Sequence, residues 1–93
     1  PFETTLYVFF FASEKGNNLL KRNLELIQNK EFEYVVFYLP KEEETEESKE
    51  NLSDSDKEYY KICEQIQAEL DENYYRVNRF DCVYRDKAKM GKN

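Results

Sequence analysis

Five segments hold nearly all the apolar side chains of the chain, and they repeat with two different periods. Thr4 to Ala12 is β-branched and aromatic throughout, with Leu6, Tyr7, Val8, Phe9, Phe10 and Phe11 in succession and no repeat of 3.6, which predicts a strand. Gly16, Asn17 and Asn18 supply turn and capping chemistry ahead of Leu19, Leu20, Asn23, Leu24 and Ile27, whose offsets trace one face of a helix ending near Asn29. Phe32 to Leu39 again has the composition of a buried strand, and Pro40 stops it. Between Lys57 and about Glu72, Tyr59, Ile62, Cys63, Ile66 and Leu70 fall on one helical stripe, and Ser55 stands three residues before Glu58 at capping-box spacing. In the last segment, Tyr74 to Tyr84, Tyr75 and Val77 hold one phase of a two-residue repeat while Phe80, Cys82 and Tyr84 hold the other. A bulge near Asn78 and Arg79 would reconcile them.

The resulting order is β-α-β-α-β, which predicts a single α/β domain over residues 1–93, a small sandwich of a sheet and two helices. The alternative is a ferredoxin-like α+β sandwich, reached by a fourth strand within the acidic loop described below or by splitting the last segment into a hairpin. The first two strands are apolar on both faces, as in a sheet covered on both sides. If both crossovers progress in the same direction, both helices land on one face and the aromatic side chains of the other need a different cover. A protein partner or a second copy of the chain is the expected cover, with Tyr7, Phe9, Phe11, Tyr34 and Tyr38 as candidate contact residues.

Charge divides the chain unevenly. From Lys41 to Glu58 there are nine acids against three lysines, a net of -6, which equals the net charge of the whole protein. Leu52 is the single large apolar residue of that stretch, so residues 41–54 are expected to form a mobile acidic loop. Glu42, Glu43, Glu44, Glu46 and Glu47 are further candidates for protein contact, as mimics of a phosphate run. From Arg76 onward six cations face two acids, a net of +4, with residues 86–93 reading as a basic polar tail. Tyr74, Tyr75, Phe80 and Tyr84 interleaved with these cations suit base stacking, so nucleic-acid binding by this end is an alternative function. Attraction between loop and tail is a more economical use of the same polarity.

Candidate chemistry is thin. There is no His, which removes the usual general base and the commonest metal ligand. Two Gly leave little from which to build a phosphate loop. Cys63 and Cys82 form no CxxC pair and are expected as free thiols of a reducing cytosol. Glu14 is the carboxylate nearest the end of the first strand, with no convergent second acid to hold a metal ion, and no cofactor is expected. No apolar run is long enough to span a bilayer, so the protein is expected to be cytoplasmic and without a membrane partner. Pro1 and the β-α-β order after it resemble the tautomerase superfamily, in which an amino-terminal proline amine is the general base. That resemblance implies a keto-enol activity with Arg22, Arg76 or Arg79 holding a carboxylate substrate, although the chain departs from the family's pattern after Pro1. The main expectation is a non-enzymatic protein that works by protein-protein binding, as an adaptor, an assembly subunit or an inhibitor of the kind viruses and mobile elements encode.

Overall fold

A computed structural model describes residues 5–8, 12–39, 52–78 and 82–89. Among those residues the elements run β1 (Thr5–Tyr7), α1 (Glu14–Gln28), β2 (Tyr34–Val36), α2 (Asp54–Asn73), β3 (Tyr74–Arg76) and β4 (Val83–Asp86), with a 3-10 turn at Lys87–Lys89. Among the described residues the domain is therefore a small mixed α/β unit of two helices and a four-stranded sheet, ordered β1-β2-β4-β3.

The last segment departs from the single bulged strand of the main sequence reading and takes the hairpin that the alternative offered. It forms two strands of a hairpin, Tyr74–Arg76 and Val83–Asp86, paired antiparallel with Tyr75 opposite Arg85. The phase slip in its hydrophobic pattern marks a reversal of the chain; it is not a bulge. The ferredoxin-like alternative does not describe the result, because β1 and β2 are parallel neighbours with Leu6 opposite Val35. β4 runs antiparallel to both of its neighbours, so β2 and β3 point the same way on either side of it.

Both crossovers, β1-α1-β2 and β2-α2-β3, thus advance across the sheet in one direction. With a common handedness they must place both helices on one face. Hydrogen bonds bear this out. Tyr74 and Asp86 are cross-strand partners, and Tyr84 shares the face of Asp86 by strand alternation. On that face the Tyr74 hydroxyl donates to the Ile27 carbonyl of α1 at 3.0 Å, and Gln67 Nε2 of α2 donates to the Tyr84 hydroxyl at 3.2 Å. The helices lie side by side and parallel. At their starts Asn17 Nδ2 donates to the Ser55 carbonyl at 2.9 Å, and Lys21 pairs with Glu58 at 3.2 Å.

The core fills the space between the helices and that face. Leu20 and Ile27 from α1 and Tyr59, Ile62, Cys63, Ile66 and Leu70 from α2 meet Val8, Val35, Phe37, Tyr74 and Tyr84 from the sheet side. All five α2 positions of the predicted stripe are buried. Helix starts differ from the sequence reading by several residues. α1 is capped by Ser13, whose hydroxyl accepts from Gly16 N at 2.9 Å, so Gly16 and Asn17 are buried within the first turn and not in a turn before it. α2 is capped by Ser53, which accepts from Asp56 N at 3.2 Å, and Ser55 already lies inside the helix. At the end of α1, Lys30 takes the left-handed conformation (φ 55°) with Lys30 N donating to Ile27 O and Glu31 N to Leu26 O. This double bond satisfies the last carbonyls of the helix as a glycine usually does there.

Candidate functional site: the helix-free face of the sheet

Strand alternation assigns the remaining side chains to the opposite face. One row across all four strands is Thr5, Tyr34, Arg85 and Tyr75, each directly opposite the next. The next row is Tyr7, Val36 and Val83, extended by Val77, whose N–H donates to the Val83 carbonyl at 2.9 Å. Neither helix covers these rows. Tyr7 is 57% exposed and Val77 50%, while Tyr34, Val36, Tyr75, Val83 and Arg85 are half-buried.

Arg85 organises the first row. Its Nε donates to Glu33 Oε2 at 3.1 Å, Nη1 reaches the Tyr75 hydroxyl at 3.4 Å, and the guanidinium lies over the Tyr34 ring, 5.5 Å from its centroid. The Tyr75 hydroxyl, then Tyr34 and Glu33, hold its pKa above the ordinary guanidinium value. Arg85 and Glu33 cancel in charge, so the face presents aromatic and β-branched surface around one internally balanced ion pair.

Two sequence-predicted contact residues, Tyr7 and Tyr34, therefore lie together on this face. Tyr38 does not join them in the sheet rows. It follows the last residue pairs of β2, is 63% exposed, and lines a groove beside α2 together with Leu39. Phe9, Phe11, Glu42, Glu43, Glu44, Glu46 and Glu47 fall outside the described residues, as do Pro1 and most of the predicted acidic loop. The sequence reading missed the roles of Glu33, Val36, Tyr75, Val77, Val83 and Arg85 on the face. Only a correctly placed hairpin puts Tyr75 and Arg85 in one row with Tyr34. Asp86, read as the start of the polar tail, is the last residue of β4 and 1% exposed. Its Oδ1 accepts from Ala88 N at 2.9 Å.

Among the described residues no cluster of three or more His, Cys, Asp or Glu could hold a metal ion. No helix among them is long and apolar enough to cross a membrane. Both cysteines are free, Cys63 buried and Cys82 half-buried. Burial pushes the Cys63 thiol up to about 11, against a smaller opposing effect of its hydrogen bond with Tyr59. A thiol with so little thiolate is a poor nucleophile. Alkylation of the native protein in mildly alkaline buffer should modify Cys82 well before Cys63, with Cys63 labelled only as fast as the domain unfolds. Peptide mass mapping checks this, and equal labelling of the two would show that α2 does not seal the core.

Comparison with models of known families, with curated proteins and with solved structures returned no match for this chain.

Proposed function

We propose that the protein acts by binding another protein through the helix-free face of its sheet, and that it is not an enzyme. The observation that carries this reading is the placement of both described helices on one side, so that neither α1 nor α2 lies over Tyr7, Val77 or the Tyr34, Arg85, Tyr75 row. Tyr and Arg with β-branched neighbours are the side chains enriched at the centres of protein interfaces. Their hydroxyl and guanidinium tips keep such a face wettable when it is free, and their bodies supply apolar area when it is covered. An adaptor, an assembly subunit, an inhibitor or one half of a homodimer would all use the face in this manner. A cytoplasmic site of action goes with the reading and is supported by the two free thiols.

The nucleic-acid alternative draws less from the same geometry. Stacking platforms work beside free cations that track phosphates, whereas Arg85 is committed to Glu33 and two tyrosines. Arg76 lies on the other face, opposite Tyr84. The tautomerase reading rests on Pro1, which is outside the described residues.

The test is a double substitution, Tyr7→Asp with Val77→Asp, at two positions exposed enough to spare the fold. Wild-type protein should self-associate in sedimentation equilibrium, or retain a protein on affinity capture from its host. The double variant should lose that association by about a hundredfold, the order expected when apolar contacts at an interface centre are replaced by unpaired charge. Its melting temperature should stay within a few degrees of wild type. A monomeric wild type whose captured proteins are the same for both forms would sink the reading.

A further inference from the structure

Beyond that face, we propose a second binding site: the groove along the outer edge of β3 takes an extended peptide and grips a carboxylate on it with Arg76. The groove encloses about 640 Å³ and is walled by Gln67, Leu70 and Asp71 of α2 and by Tyr74, Tyr75 and Arg76 of β3. Its volume is within the range of ligand-binding clefts, roughly 300–1,000 Å³.

Three observations point to the chemistry of the occupant. First, Arg76 holds its guanidinium over the Tyr84 ring, 5.6 Å from the centroid, and among the described residues it has no ion pair or side-chain hydrogen bond. Stacking occupies the flat face of the group and leaves the in-plane N–H fork, the part that matches a carboxylate, available to a ligand. Second, the Tyr84 hydroxyl accepts from Gln67 Nε2, so its own proton remains to be donated into the groove that it lines. Third, Lys87 also lines the groove, and its Nζ donates to the Glu72 carbonyl at 3.0 Å. The groove lining thus carries two cations, Arg76 and Lys87, against one acid, Asp71, which is hydrogen-bonded by Gln67 at 2.9 Å.

The edge geometry favours a peptide over a compact small molecule. β3 is the last strand of the sheet. Antiparallel bonding alternates, and the Val77 N–H faces β4, so the N–H and C=O of Arg76 face outward along the free edge. Consecutive residues Tyr74, Tyr75 and Arg76 all line the groove, as a strand edge does when it borders a cleft. An extended segment laid there gains main-chain hydrogen bonds from the edge and side-chain specificity from the cleft, the logic of strand addition.

The experiment titrates isotope-labelled full-length protein with three blocked hexapeptides of alternating valine and glutamate, valine and glutamine, or valine and lysine, and with phenylacetate. The glutamate peptide should shift the amide signals of Arg76, Val77, Gln67 and Leu70 and bind about tenfold more tightly than the glutamine peptide. The lysine peptide should leave those signals in place. Arg76→Gln should erase the difference between glutamate and glutamine peptides without moving the melting temperature, and Arg76→Lys should restore part of it. Tyr7→Asp alone, on β1, tests the sheet face separately, and groove shifts at Arg76 and Gln67 should survive in it even if partner binding is lost. Equal binding of the three peptides, or shifts confined to Tyr34 and Arg85, would overturn the proposal. Phenylacetate binding as tightly as the glutamate peptide, with the same dependence on Arg76, would overturn the peptide and assign the groove to a small organic acid.

Discussion

Phe37→Ala should lower the stability of the domain by about 3–5 kcal/mol, while Tyr38→Ala, one position further along, should change it by less than about 0.5 kcal/mol. Phe37 is among the largest fully buried side chains, 1% exposed, and Tyr38 is 63% exposed. The Phe37 N–H donates to the Cys82 carbonyl at 2.9 Å, which carries the β2–β4 pairing one residue past the strand and fixes its ring toward the helices. Removing the ring leaves a cavity in the close-packed core cluster that Phe37 shares with Val35, Ile66, Leu70 and Tyr84. A chain of this size has a total stability of about 5–15 kcal/mol, so the loss is a large share of it. At roughly 4–8 °C per kcal/mol for a small domain, Phe37→Ala should melt more than ten degrees below wild type. Thermal denaturation followed by circular dichroism checks the pair. Equal effects at the two positions would mean that the chain leaves the sheet before Phe37 and that the two-faced description of β2 is wrong.

That contrast also shows what the amino-acid sequence makes legible. The five α2 core positions repeat cleanly enough to be read directly, because a helix of twenty residues samples its buried stripe many times over. The strands are three or four residues long, and so few positions cannot fix a phase or an end. The hairpin is legible only as an alternative for a related reason. Its connection, Val77 through Cys82, contains neither Gly nor Pro, so the reversal is marked by Asn78 and Asp81 alone and registers chiefly as a change of phase. The cap of α2 was misassigned because two serines stand in the same Ser-Asp-Ser-Asp run and both precede an acid by three residues. The hydrogen bond from Asp56 N to the Ser53 hydroxyl shows that Ser53 is the cap and Ser55 already lies in the helix, which leaves the Ser55 carbonyl to accept from Asn17 Nδ2.

The helix-free face was legible as a condition. Aromatic strands and two helices imply an uncovered face if both crossovers advance together, and the β1-β2-β4-β3 order meets that condition. Tyr7 and Tyr34 follow from strand alternation within their own segments. Arg85 does not, because its neighbours in space, Glu33, Tyr34 and Tyr75, come from three different stretches of chain. Long-range pairing of this kind is set by register, and register depends on the hairpin.

Alkaline pH should unfold the protein through three groups in the core. Burial, with smaller contributions from Asp86 and Glu69, pushes the Tyr74 phenol up to about 12 from its ordinary 10. Burial also raises Tyr59 to about 12, helped by Cys63 and Tyr60, and raises Cys63 to about 11 from its ordinary 9. An unfolded chain begins to release these protons above pH 9 for the thiol and pH 10 for the phenols, while the folded chain retains them. The unfolded state then binds fewer protons than the native one, so stability falls as pH rises. The stabilisation is fully present below pH 9 and is lost as pH climbs through 11 and 12. At about 1.4 kcal/mol per pKa unit, Tyr74 contributes roughly 3 kcal/mol to the loss. Tyr59 and Cys63, which are hydrogen-bonded to each other, act as one further unit. Ring resonances of Tyr59 and Tyr74 should keep their phenol positions until the helical circular dichroism disappears, and both should then change together. In Tyr74→Phe the hydrogen bond to Ile27 is lost, which costs about 1 kcal/mol at neutral pH, but the decline between pH 10 and 12 should be shallower than in wild type. An unchanged slope in that variant, or a Tyr74 ring that ionises while the helices remain intact, would show that the phenol is open to water and that the α1 end does not close over the sheet as described.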